Sequence, residues 1–178
     1  MLSTIVCCEN GLPTSPSGSD LAVTLARTLA CLVTANVEGL IADVRIAGPS
    51  GQDLTLLARH AGCDLSEADN EPDWLRLALE AARGPDVFLL RCGRAPEAGF
   101  IEEAGDFLAH HGKGTARAAC VRAVPESFFE RLFPSLAPVA GLIATRDRML
   151  GAPRGGFARL ARFVVPAATF RARARRIL

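Results

Sequence analysis

Four short runs in the first 124 residues, STIVCC at 3–8, LIADVRIAG at 40–48, DVFLLR at 86–91 and ARAACVRAV at 116–124, are apolar or β-branched and stop at turn-forming residues. They have the length of buried strands rather than of helices. The segments between them carry the other period. After a Ser19-Asp20 cap, Leu21, Leu25, Leu29 and Leu32 share one face and predict a helix to about Ala35. QDLTLLARHAG predicts a helix ending at Gly62, and PDWLRLALEAARG one opened by Pro72-Asp73 and closed by Gly84; they flank a short strand or loop near Cys63 to Ala68. PEAGFIEEAGDFLAHHGKG predicts a further helix with Phe100, Ala104 and Phe107 inward. An order of βαβαβαβ admits few arrangements. It predicts an α/β fold with an open, mostly parallel sheet, helices on both faces, and ligands held at the carboxyl ends of the strands.

At 178 residues and 49% apolar content the chain can bury one sizeable core, so residues 1–178 are expected to form a single domain. Its one long structureless stretch is GLPTSPSGSD at 11–20, expected to be a mobile loop. Beyond Pro125 the pattern weakens. ESFFERLF reads as a short amphipathic helix, GLIATRDRML as an apolar segment leading into a helix, and RFVVPAATF as an edge strand. A net charge of +1 argues against a nucleic-acid-binding surface, although all basic residues but Lys113 are arginines. The six cysteines, at 7, 8, 31, 63, 92 and 120, include no CxxC pair, so buried reduced thiols are expected rather than a disulfide framework or metal cluster. No run approaches the length of a membrane-spanning helix and the N-terminus lacks a signal-peptide pattern, which together predict a cytoplasmic protein.

The words carried by this frame resemble glycosyltransferase family 2 over roughly residues 2 to 111, and more loosely to 160. IVCCEN stands where the family's first strand runs into a Pro-Thr-x-Asn-x-Glu segment, keeping Glu9 and Asn10 but replacing Pro-Thr by Cys7-Cys8. GPSGQD stands where the second strand ends in Asp-Asp-Gly-Ser-x-Asp, so Asp53 alone remains. DLTLLARHAGC, ALEAARGPDVFLL and PEAGFIEEAGDFL match the following helix, the third strand with its approach, and the helix after it. The resemblance implies a GT-A fold, a sugar nucleotide as substrate, and an Asp-x-Asp at the end of the DVFLLR strand to hold a divalent cation on the diphosphate. Register places Arg91-Cys92-Gly93 there.

That replacement changes the expected chemistry. Mg²⁺ or Mn²⁺ takes hard oxygen ligands, which Arg91 and Cys92 do not supply. A guanidinium about 4 Å from a dication turns attraction into repulsion worth several kcal/mol at an effective dielectric of 20. No metal and no other cofactor is therefore expected. The acidic catalytic base that the family places before its C-terminal helices is missing too, because Asp147 is the last acid in the chain. Arg91 reads either as a diphosphate clamp, with Gly93 admitting the backbone closely, or as a rim arginine paired with Glu97 or Asp86. Glu9, Asn10 and Asp53 are the remaining candidate contacts to the sugar nucleotide. Two functions follow: a metal-independent sugar transferase, or a catalytically degenerate GT-A-like domain serving as a binding or assembly subunit.

Gly48 to Gly51 could offer helix amides to an anion, with a plain turn as the simpler expectation, and His60 and His110-His111 read as structural or solvated. The C-terminal 167–178, taken as a helix, separates Phe170, Ala174 and Ile177 from Arg171, Arg173, Arg175 and Arg176. Such a basic amphipathic segment fits peripheral contact with an anionic membrane or a protein partner.

Overall fold

A computed structural model of the chain describes residues 1–9, 19–51, 53–110, 118–164 and 168–177. Asn10, and residues 11–18 of the expected mobile loop, lie outside them, while Ser19 and Asp20 already belong to the first helix.

The elements run β1 (Leu2–Cys7), α1 (Ser19–Val37), β2 (Ile41–Pro49), α2 (Leu54–Ala61), β3 (Asp64–Ala68), α3 (Glu71–Glu80) and β4 (Asp86–Arg91). They continue with β5 (Arg94–Pro96), α4 (Phe100–His110), β6 (Ala118–Arg122), α5 (Phe128–Leu132), a 3-10 turn at Pro134–Leu136, β7 (Val139–Thr145), α6 (Arg146–Leu150), α7 (Phe157–Val164), β8 (Ala168–Thr169) and β9 (Ala174–Arg176). Seven strands form the main sheet in the order β3-β2-β1-β4-β7-β6-β8, and β5 with β9 form a separate ribbon. β3, β2, β1 and β4 are mutually parallel, as the alternation of strand and helix predicts.

β4 lies in the middle of this sheet. Val87, Phe88, Leu89 and Leu90 are all fully buried, which is why DVFLLR reads as a continuous apolar run without alternation. Each such side chain contributes about 1.5–3 kcal/mol by leaving water. Successive residues of β1 and β4 face opposite layers: Val6, Phe88 and Leu90 pack with α1, α2 and α4, whereas Ile5, Val87 and Leu89 pack with α3, α6 and α7.

The C-terminal third departs from the sequence expectations. VAGLIAT is a full central strand, β7, antiparallel to both β4 and β6. Only the end of RFVVPAATF forms an edge strand, β8, because RFV closes the amphipathic helix α7 instead. The C-terminal segment is not a helix either: β9 pairs antiparallel with β5, and Phe170, Ala172 and Ala174 are buried. The cysteines are free; Cys7, Cys8, Cys92 and Cys120 are buried, Cys63 is half-buried and Cys31 is exposed.

Candidate functional site

β4 ends by delivering Arg91 to the carboxyl edge of the sheet, on the α3 and α7 side. Arg91 is in register with Cys7 of the parallel β1, and the Cys92 N–H donates to the Cys7 carbonyl at 2.9 Å, so the chain leaving β1 brings Glu9 alongside. Glu9 Oε1 stands 3.0 Å from Arg91 Nε. This is an ion pair by proximity, since neither buried atom makes an aligned hydrogen bond. The guanidinium also lies over the ring of Phe157, with 4.7 Å from its carbon to the ring centroid. Phe157 is buried at the start of α7, and its N–H donates to Glu71 Oε1 at 2.7 Å. A Cβ at the neighbouring Gly156 would meet the Glu71 carboxylate, which would have to shift to make room. The ends of β1 and β4 and the starts of α3 and α7 thus converge on one arginine.

Burial pushes the Glu9 carboxyl above its ordinary range; the Arg91 charge opposes the shift and the Glu71 carboxylate adds to it. Burial likewise raises the Cys7 thiol. On the other face of the sheet, the Cys8 thiol is held up by its hydrogen bond to Cys92 and by burial. Cys7 and Cys8 are therefore protonated core groups, as their apolar setting in the sequence suggests. The Gly93 N–H donates to Thr28 Oγ1 at 3.0 Å, which anchors the turn after β4 to α1.

Two of the expected site residues, Glu9 and Arg91, are brought together. Arg91 pairs with Glu9 rather than with Glu97 or Asp86; Asp86 sits at the opposite end of β4. Asp53 precedes α2, exposed, with a left-handed φ of 53° that aspartate tolerates better than most residues, and no side-chain cap. Among the described residues no contact joins it to Glu9 or Arg91. Gly48 is needed for packing, since a Cβ there would come within 2.7 Å of Leu54 and 3.0 Å of Cys8. His60 is exposed in the last turn of α2. Glu71 and Phe157 escaped sequence reasoning: an acid in the first turn of a helix reads as a dipole partner, and a buried phenylalanine reads as core. Only the tertiary fold puts them beside Arg91.

Arg91, Cys92 and Gly93 offer no carboxylate, and among the described residues no group of three or more His, Cys, Asp or Glu side chains could hold a metal ion. Asp147, the last acid, follows β7 in α6; because β7 runs antiparallel to β4, with Thr145 opposite Asp86, it stands at the far edge of the sheet from Arg91. A groove of about 930 Å³ lies between α1 and α2 over β2, but Glu9, Asp53 and Arg91 do not line it.

No protein-family model matches the chain, and no curated protein matches its sequence. Solved structures match its fold. Glucosyl-3-phosphoglycerate synthase from Mycobacterium tuberculosis, in complex with Mn²⁺, UDP and glucosyl-3-phosphoglycerate, superposes with a TM-score of 0.65 at 14% identity, over 99% of this chain and 72% of that one. Mannosyl-3-phosphoglycerate synthase from Rubrobacter xylanophilus gives 0.63 at 15% identity, over 99% and 67%. This chain has the GT-A fold. 4-Diphosphocytidyl-2C-methyl-D-erythritol synthase from Anaerococcus prevotii also superposes, with a TM-score of 0.60 at 7% identity over 99% of this chain and 89% of that one. A mycobacterial protein matched over 98% of this chain is longer, and the chain spans 64% of its length. No helix among the described residues is long and apolar enough to cross a membrane.

Proposed function

We propose that this chain is a glycosyltransferase family 2-like domain that recognises a sugar nucleotide without a divalent cation, with Arg91 taking the diphosphate. The observation that supports this reading is the place of Arg91: a guanidinium at the carboxyl end of a central strand of a GT-A sheet, where the resemblance puts the cation's ligands. Its present contacts are weak enough to be displaced. A part-exposed ion pair contributes about 0–1 kcal/mol and a stacked aromatic about 0.5–2. A bidentate, charge-assisted contact with phosphate competes with both. Glu9 and Asp53, with Asn10, are assigned to the base and ribose.

UDP-glucose is the first probe, because a mycobacterial relative by fold was solved with it and Mn²⁺. At millimolar concentration it should raise the melting temperature, and Arg91→Ala should weaken binding by roughly 1.5–3 kcal/mol, the range of a hydrogen bond to a charged group. If no sugar nucleotide shifts the melting temperature, the transferase reading fails. The second reading, a degenerate domain acting as a binding or assembly subunit, then stands. Two observations favour it: Arg91 is held by Glu9 and Phe157, and the last acid of the chain lies at the opposite edge of the sheet from Arg91.

A further inference from the structure

The excursion between β6 and β7 exposes what a folded chain ordinarily buries. Phe128 and Phe129 are 73% and 72% exposed with their rings 6.1 Å apart, and Leu132, Phe133 and Leu136 are each more than half exposed. Neither α5 nor the following 3-10 turn has a single buried residue. Scattered apolar residues on a surface need no explanation, but five large ones in nine consecutive positions make a patch. The helix carrying them is locally fixed: Ser127 Oγ accepts from the Glu130 N–H at 3.2 Å, and the Glu130 carboxylate accepts from the N–H groups of Ser127 and Glu126. This capping box satisfies the amides at the start of α5.

The surroundings are basic. Arg131 is exposed on α5 itself, and Arg173 Nη1 donates to the Pro134 carbonyl at 3.4 Å, tying the β9 approach to the patch. Arg175 is exposed on β9, whose neighbour Ala174 accepts from the Val124 N–H. The nearby acids are occupied: Glu126 pairs with Arg94 at 2.8 Å and Arg176 at 3.6 Å, and Glu130 completes the cap. The patch also stands at the carboxyl edge of the sheet, because β6 ends and β7 begins at the end where β4 delivers Arg91.

We propose that α5 and the 3-10 turn dock on an anionic lipid surface, with Phe128, Phe129 and Leu132 entering the interface and Arg131, Arg173 and Arg175 meeting lipid phosphates. An exposed apolar patch with arginines beside it matches a bilayer, which is apolar inside and negatively charged at its surface. A second copy of the chain would bring the same cationic border against itself. Docking this way turns the carboxyl edge of the sheet, and Arg91 with it, toward the membrane. The inference stands whether or not the cleft takes a sugar nucleotide.

The test is sedimentation with phosphatidylcholine vesicles, pure or containing phosphatidylglycerol. The wild-type chain should bind the anionic vesicles, more weakly as salt rises, and leave the neutral ones in comparison unbound. F128S/F129S, at exposed positions, should keep the wild-type melting temperature and lose roughly tenfold or more in partition. R131A/R175A should lose about fivefold for each arginine removed. Equal binding to neutral vesicles, or no vesicle binding, overturns the proposal. So does a wild-type dimer that F128S/F129S converts to monomer without any vesicle binding, which would assign the patch to a second copy.

Discussion

Arg91 is held by groups that each contribute little. Glu9 neutralises it from one side, Phe157 supports its face, and Glu71 fixes Phe157 in turn through the first free amide of α7. Glu9 itself is uncomfortable when ionised, because its burial outweighs the attraction of Arg91. A carboxyl whose folded pKa is raised binds its proton more tightly in the native state, so its contribution to stability is full below the ordinary value of 4.5 and is lost as pH rises through the folded value. Glu9→Gln should therefore remove a fall in stability above pH 4.5, leaving the variant's unfolding midpoint flatter with pH than the wild type's in chemical denaturation across the acid range. A wild-type-like slope in the variant would show that Glu9 is not the titrating group. The place of Arg91 at the end of β4 was legible in the sequence, because the apolar strand before it and the helix after it fix the register. Its partner was not, because residues separated by a loop and a parallel crossover leave no local periodicity linking Glu9 to Arg91.

Period decides the element scale. The C-terminal FRARAR alternates, and the structure buries Phe170, Ala172 and Ala174 while Arg171 and Arg175 stay outside. That is a period of two, the mark of an extended segment, whereas a helical reading needs a period of 3.6. The signal for β9 was present in the residues, and the arginine count drew attention to amphipathic helices instead. β7 was hidden differently: VAGLIAT is apolar on both faces and passes directly into α6, so composition alone does not separate a strand from a buried helix. Its glycine is required by packing. A Cβ at Gly141 would come within 2.7 Å of Phe88 Cε2, at a point where β4 and β7 pair across the sheet centre. Gly141→Ala should cost about 1–3 kcal/mol by overpacking, read as a lower urea midpoint with an unchanged slope. A neutral substitution would mean that β7 does not press on Phe88 as described.

On the scale of the whole molecule, the parallel half of the sheet was legible because each strand and helix announced itself by length and period, and right-handed crossovers leave little freedom in joining them. What the sequence could not supply was the insertion of β7 between β4 and β6, a pairing of strands distant along the chain. That insertion sends Asp147 to the far edge and leaves Arg91 with Glu9, Glu71 and Phe157 for company. Under the proposed function, Arg91 stands in for a divalent cation on the diphosphate. Calorimetric titration of the intact chain with a sugar nucleotide, in excess chelator and again in Mn²⁺, tests it most directly. The predicted result is binding of equal affinity in both, lost with Arg91→Ala. Binding that appears only with Mn²⁺, or tightens tenfold or more on its addition, would contradict it.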